Sequence, residues 1–140
     1  MKVSLKQIDG LAMAAVADSN HWITMDGPEN FGGRTAGPRP MEVLLMGMAG
    51  CTAMDVISIL KKKRIKLQDV SVEVDAEQAP EHPKVFTKIR LHYIITGKDV
   101  RATDVERAIE LSETKYCSAT IMLKKSADVT HDYKIIEPDQ

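Results

Sequence analysis

The sequence carries almost no net charge and very little cysteine. With 19 Lys+Arg against 20 Asp+Glu the formal net charge is −1. That balance gives no electrostatic footprint for nucleic acid or for an anionic membrane surface, and neither partner is expected. Two cysteines in 140 residues make no disulfide framework and read as free thiols or a redox pair. Neither cysteine has a partner three residues away. The four histidines, His21, His82, His92 and His131, lack the short spacings of a zinc site, so no metal and no other cofactor is expected. Residues 1–20 alternate like strands and hold no long apolar run behind a basic start, so no secretory signal is read and a cytoplasmic protein is expected.

Apolar character is concentrated in one stretch, Pro40 to Arg64. Proline suits the first position of a helix, and the run Lys61-Lys62-Lys63-Arg64 suits a helix C-terminus, so both ends are marked. Between them apolar residues recur on every side, the pattern of a helix buried all round. At 1.5 Å per residue it spans about 37 Å, more than the width of a compact domain of this length. Val43 to Leu60 is nearly long enough to cross a bilayer. Asp55 near its centre, two glycines and the lack of a second span argue against that. Eight methionines are many for this length, and Met41, Met46, Met48 and Met54 crowd this helix as soft core filler. Gly47 and Gly50 would let a partner helix approach at the level of Cys51, or would make room for the chain's own sheet.

The remaining elements follow from periodicity. Val3–Ile8 and Leu11–Ala17 flank the Asp9-Gly10 hairpin signal, and His21–Met25 makes a third strand. Asp26 to Arg39 is a loop of about 14 residues, rich in glycine and proline, with no period of its own. It delivers Arg34 and Arg39 beside the helix start. Val70–Asp75 and Val85–Thr96 alternate as a hairpin with one wet face, Val85, Thr87, Ile89, Leu91, Tyr93 and Ile95 sharing the inner side. Thr103-Asp104-Val105-Glu106 has the form of a capping box, predicting a second helix from Thr103 to about Lys115. Ala119–Lys125 is a short third helix with Cys117 or Ser118 at its N-cap, and Val129–Ile135 is a final strand. The order β-β-β-α-β-β-α-α-β, without internal repeats, is α+β and fits one domain over residues 1–140.

Cys51 lies mid-helix, where the helix dipole gives a thiolate no help, so only a cationic neighbour could activate it. Cys117 stands at a helix start, where backbone amides favour an anion. Glu42 and Cys51, nine residues apart, fall on opposite sides of the helix and about 13.5 Å apart along it. A site that uses both needs a second subunit or a bridging arginine. The sequence Gly47-Met48-Ala49-Gly50 matches a bare GxxG, but inside a helix and without a basic surface it does not read as RNA binding.

Gly37-Pro38-Arg39-Pro40-Met41-Glu42-Val43-Leu44, the nine-residue step from Glu42 to Cys51, and a second cysteine after another helix together resemble the OsmC/Ohr family of organic hydroperoxide reductases. The resemblance implies an intertwined homodimer whose sheets wrap paired central helices, with sites built from both subunits. It implies Cys51 as the peroxidatic thiolate, Cys117 as the resolving cysteine and Glu42 as the acid that orients an activating arginine, with Arg34 and Arg39 both candidates for that arginine. The implied substrate is an organic hydroperoxide and the implied reductant an external dithiol or lipoyl-bearing protein. A second reading keeps the methionine-lined dimer as a binder of an apolar small molecule without turnover.

Overall fold

The computed structural model describes residues 1–138. Its packing divides the chain into two compact units, Met1–Met46 and the remainder from Gly47. In the first unit, strands β1 (Val3–Asp9), β2 (Ala12–Ala17) and β3 (Trp22–Met25) form an antiparallel meander in that order. The first turn has Gly10 at φ 57°, a left-handed conformation that glycine adopts without strain.

The loop after β3 is more ordered than its composition suggests. Asp26, 2% exposed, accepts hydrogen bonds from the backbone N–H groups of Gly27, Arg34 and Ala36 at 2.7, 3.0 and 3.1 Å. The bond from Ala36, helped by those from Arg34 and Gly27, holds its carboxyl below the usual carboxylate range. A 3₁₀ turn, Glu29–Phe31, occupies the bend. A Cβ on Gly33 would lie 1.8 Å from the carbonyl oxygen of Gly27, so the fold needs glycine there. The expected loop is thus found, interrupted only by the 3₁₀ turn, and one buried carboxylate supplies acceptors that a helix or sheet would otherwise provide.

Helix α1 (Pro40–Lys62) is the expected central helix. It ends two residues early in a Schellman motif: Arg64 takes φ 59°, its N–H bonds to Lys61 O, and the N–H of Ile65 bonds to Leu60 O. The expectation of burial on all sides is corrected. Only the stripe Met48, Thr52, Val56 and Leu60 is buried, one residue per turn, whereas Met41, Leu44, Met46 and Met54 are 40–72% exposed on this chain. By length and composition α1 could cross a bilayer, yet that stripe is fully buried in the core of the second unit.

The second unit is built on a three-stranded sheet in the order β4 (Lys66–Gln78), β5 (Phe86–Lys98), β6 (Asp128–Ile136), with β4 antiparallel and β6 parallel to the central β5. Ile89, Leu91, Tyr93 and Ile95 are fully buried, as their alternation predicts. At the start of β5 the alternation slips. The register shifts between Glu77↔Lys88 and Gln78↔Phe86, leaving Thr87 without a partner, so Phe86 is buried and Val85 exposed.

Helix α2 (Ala102–Leu111) starts one residue before the expected cap, with Arg101 at the N-cap and no side-chain capping bond. The capping box does not form. Asp104 is instead drawn to Arg101 Nε at 2.7 Å and Lys63 Nζ at 2.9 Å, a pair of charge-assisted bonds that outweighs a neutral hydroxyl cap. Beyond Leu111 the chain makes a single π-turn, Ser112–Tyr116, closed by Cys117 N–H to Ser112 O at 2.7 Å. Helix α3 (Ser118–Leu123) follows with Cys117 as its N-cap.

Candidate active site

Two elements of the second unit, β5 and the π-turn, meet at the buried stripe of α1. Cys51 and Asp55 are one turn apart, so their side chains share one edge of the helix. Thr52 between them points inward, where it meets Tyr93 from β5 and Ser112 from the π-turn. Thr52 Oγ1 lies 2.7 Å from Tyr93 OH and 2.9 Å from Ser112 Oγ, and Ser112 Oγ donates to Asp55 Oδ2 at 3.1 Å. Each hydroxyl has one proton and a carboxylate only accepts. The chain therefore runs one way: Tyr93 donates to Thr52, Thr52 to Ser112, and Ser112 to Asp55. Burial pushes the Tyr93 phenol far up, which keeps it protonated at the head of the chain.

The π-turn brings the second thiol to the same place. An i→i+5 turn of this kind is a local departure from helix geometry that recurs at functional sites. Glu113 within it is 6% exposed; Lys124 Nζ, at the C-cap of α3, donates to its Oε2 at 2.9 Å, and His131 Nδ1 of β6 lies 2.8 Å from its Oε1. Cys117 is fully buried, and its Sγ accepts from Thr120 Oγ1 at 3.1 Å and Thr120 N–H at 3.4 Å. Those bonds favour a thiolate, but burial is the larger effect and the neighbouring Cys51 adds to it, so the Cys117 thiol is pushed up. The anion-favouring helix start read from the sequence is outweighed by desolvation.

Cys51, partly exposed, and Cys117 are free thiols. A carboxylate oxygen of Asp55 and the two sulfurs all lie within 4.8 Å of one another. The structure thus brings together two residues that are 66 positions apart in the sequence. Asp55 also lines an open groove of about 410 Å³ with Ser58, Ile59, Lys62, Lys63, Leu111 and Tyr116.

The other three sequence candidates belong to the first unit. Glu42 Oε2 accepts from the backbone N–H of Arg39 at 2.8 Å, capping the start of α1, and the Arg34 guanidinium pairs with Asp9. Among the described residues neither arginine's guanidinium pairs with Glu42. Sequence reasoning missed Asp55, Thr52, Ser112 and Thr120 as members of the site. The i, i+4 spacing of Cys51 and Asp55 was the available signal for the first; the hydroxyls have no local pattern.

Comparison with known proteins extends these observations. The model of the OsmC-like protein family matches residues 32–132. Protein YhfA of Escherichia coli strain K12 is 42% identical over 136 residues, covering 97% of this chain and 98% of that protein. A hypothetical protein from Aquifex aeolicus VF5 superposes with a TM-score of 0.86 at 28% identity, over 99% of this chain and 97% of the other. An organic hydroperoxide resistance protein OsmC from Legionella pneumophila has the same fold, with a TM-score of 0.71 at 18% identity over 96% and 97% of the two chains. The α+β architecture, the long central helix and this match over most of the sequence lead to one assignment: the chain belongs to the OsmC-like protein family.

Proposed function

We propose that this protein reduces organic hydroperoxides with its own thiols, as a homodimer. The observation that carries the reading is the meeting of a partly exposed Cys51 with a buried, protonated Cys117 in one site. The more exposed sulfur is the one a peroxide reaches. Its thiolate attacks a peroxide oxygen; the O–O bond breaks, an S–O bond forms, and the alkoxide takes a proton and leaves as an alcohol. Cys117 then attacks the Cys51 sulfenic acid. An S–S bond forms, the S–O bond breaks, and the Cys117 proton leaves with the hydroxide as water. An external dithiol or lipoyl-bearing protein returns the disulfide to two thiols by exchange. The family resemblance assigns Glu42 the orienting of an arginine toward Cys51, with Arg34 and Arg39 as the candidates.

The dimer is supported by the exposed apolar side of α1. Among the described residues Gly47 and Gly50 sit in open space: a Cβ on either would meet nothing within 4 Å. Their smallness serves no packing within this chain, which favours a partner helix over the chain's own sheet.

Purified protein with dithiothreitol or dihydrolipoamide should consume cumene hydroperoxide. Cys51→Ser should abolish this, and Cys117→Ser should stop after one turnover with a sulfenic acid that dimedone traps. Absence of wild-type turnover with both reductants would overturn the proposal and favour the apolar-ligand reading.

A further inference from the structure

The thiol pair is accompanied by a carboxylate, and the three donors carry outer partners of their own. We propose that Cys51, Cys117 and Asp55 form a binding site for a divalent zinc ion when both thiols are reduced. The inference stands whether or not the pair turns over peroxide.

Two sulfurs and one carboxylate oxygen are a donor set suited to zinc, whose sites accept Cys and Asp together. It is poorly suited to the hard cations magnesium and calcium, which take oxygen ligands. The spacing also fits. With Zn–S bonds of about 2.3 Å, two sulfurs on a tetrahedral zinc stand about 3.8 Å apart. The three donor atoms lie within 4.8 Å of one another, so adjustments of roughly 1 Å bring them to the separations of a tetrahedral site.

The surroundings distinguish this cluster from a chance meeting of a thiol pair and an acid. Metal ligands are held by hydrogen bonds from a second layer of groups, and loss of those groups weakens binding. Cys117 Sγ already receives the N–H and the hydroxyl of Thr120. Asp55 Oδ2 already receives Ser112 Oγ, which is oriented in turn by Thr52 and Tyr93. That directional chain orients the carboxylate, whose oxygens keep further lone pairs for a metal. Two thiolates and one carboxylate would carry three negative charges, which a divalent cation largely neutralises. Three protein ligands leave a fourth position for water or a small exogenous ligand. Since peroxide oxidation and zinc coordination both use the reduced thiols, each would exclude the other. Zinc would protect the pair, and oxidation would release the ion.

The test is titration of fully reduced, metal-free protein with zinc in competition with the chromophoric chelator 4-(2-pyridylazo)resorcinol. One zinc per chain is expected, with affinity reduced at least about tenfold by Asp55→Ala and, through the second layer, about tenfold by Ser112→Ala. Cobalt(II) should give tetrahedral visible bands and a sulfur-to-cobalt charge-transfer band that Cys51→Ser about halves, as one of two thiolate ligands is lost. Circular dichroism checks the fold of each variant, and Asp55→Asn, close in shape, replaces Asp55→Ala if that variant unfolds. Undiminished zinc affinity in a folded Asp55 variant would reduce the site to nonspecific thiol binding and overturn the inference. So would a cobalt spectrum without tetrahedral bands.

Discussion

At the scale of single residues, the buried hydroxyl chain is the part of the site most sensitive to small changes. Thr52, Tyr93 and Ser112 are fully buried, so each hydroxyl depends on the others for its hydrogen bonds. Thr52→Val keeps the shape but removes the link that satisfies both neighbours. An unpartnered buried polar group costs about 1–3 kcal/mol, so the variant should lose about that much stability in urea unfolding, and Tyr93→Phe, which takes away only the terminal donor, should lose less. A loss below about 0.5 kcal/mol for Thr52→Val would mean that water or a rotated hydroxyl replaces it. Cys51 and Cys117 are legible in the sequence because cysteine is scarce and one of them interrupts an apolar helix. Asp55 is harder to read: from the sequence its charge speaks only against a membrane span, and its partner Ser112 lies 57 positions away.

At the scale of elements, the sequence predicts the type and order of each segment, and local competition decides the boundaries. The capping motif at Thr103 is a genuine local signal, but Lys63, just past the end of α1, supplies a charge that no reading of residues 101–106 could include. Its consequence is pH dependence. Hydrogen bonds from Arg101, and then from Lys63, hold the Asp104 carboxyl below its usual range. A carboxylate depressed in this way contributes stability above its unfolded pKa of about 3.9, and that contribution disappears as pH falls through the lower folded value. Wild type should therefore exceed Asp104→Asn in urea midpoint near pH 6, and the gap should narrow as the pH is taken progressively below the unfolded carboxylate value. A gap independent of pH would show that shape, not charge, holds the start of α2. The same lesson applies to Phe86, where alternation is read correctly along β5 until an unpartnered Thr87 reverses the faces.

At the scale of the whole molecule, the central helix is the element whose sequence reading and structure differ most instructively. Its composition predicts burial all round; one chain covers a single stripe. The remainder is accounted for if a second copy packs against Gly47 and Gly50. Gly50→Leu adds a side chain where this chain has open space and raises helix propensity. The variant should keep wild-type circular dichroism while shifting from dimer to monomer in size-exclusion chromatography with light scattering, and Gly47→Leu should do the same. A fully dimeric Gly50→Leu protein would place the interface elsewhere. Fold class was readable because periodicity and turns are local; the pairing of the two thiols entered only through the family resemblance, and Asp55 and the hydroxyl chain not at all, because they depend on distant segments meeting.

The meeting of Cys51 and Cys117 has a further consequence, in chain entropy. A bond between sulfurs 66 positions apart would close nearly half of the sequence into one loop, and such a closure removes conformations from the unfolded chain worth up to about 4 kcal/mol. Oxidation would thus make the protein harder to unfold, while each reduction returns the chain to its looser form. The redox state of one site would be written into the mechanical persistence of the entire second unit.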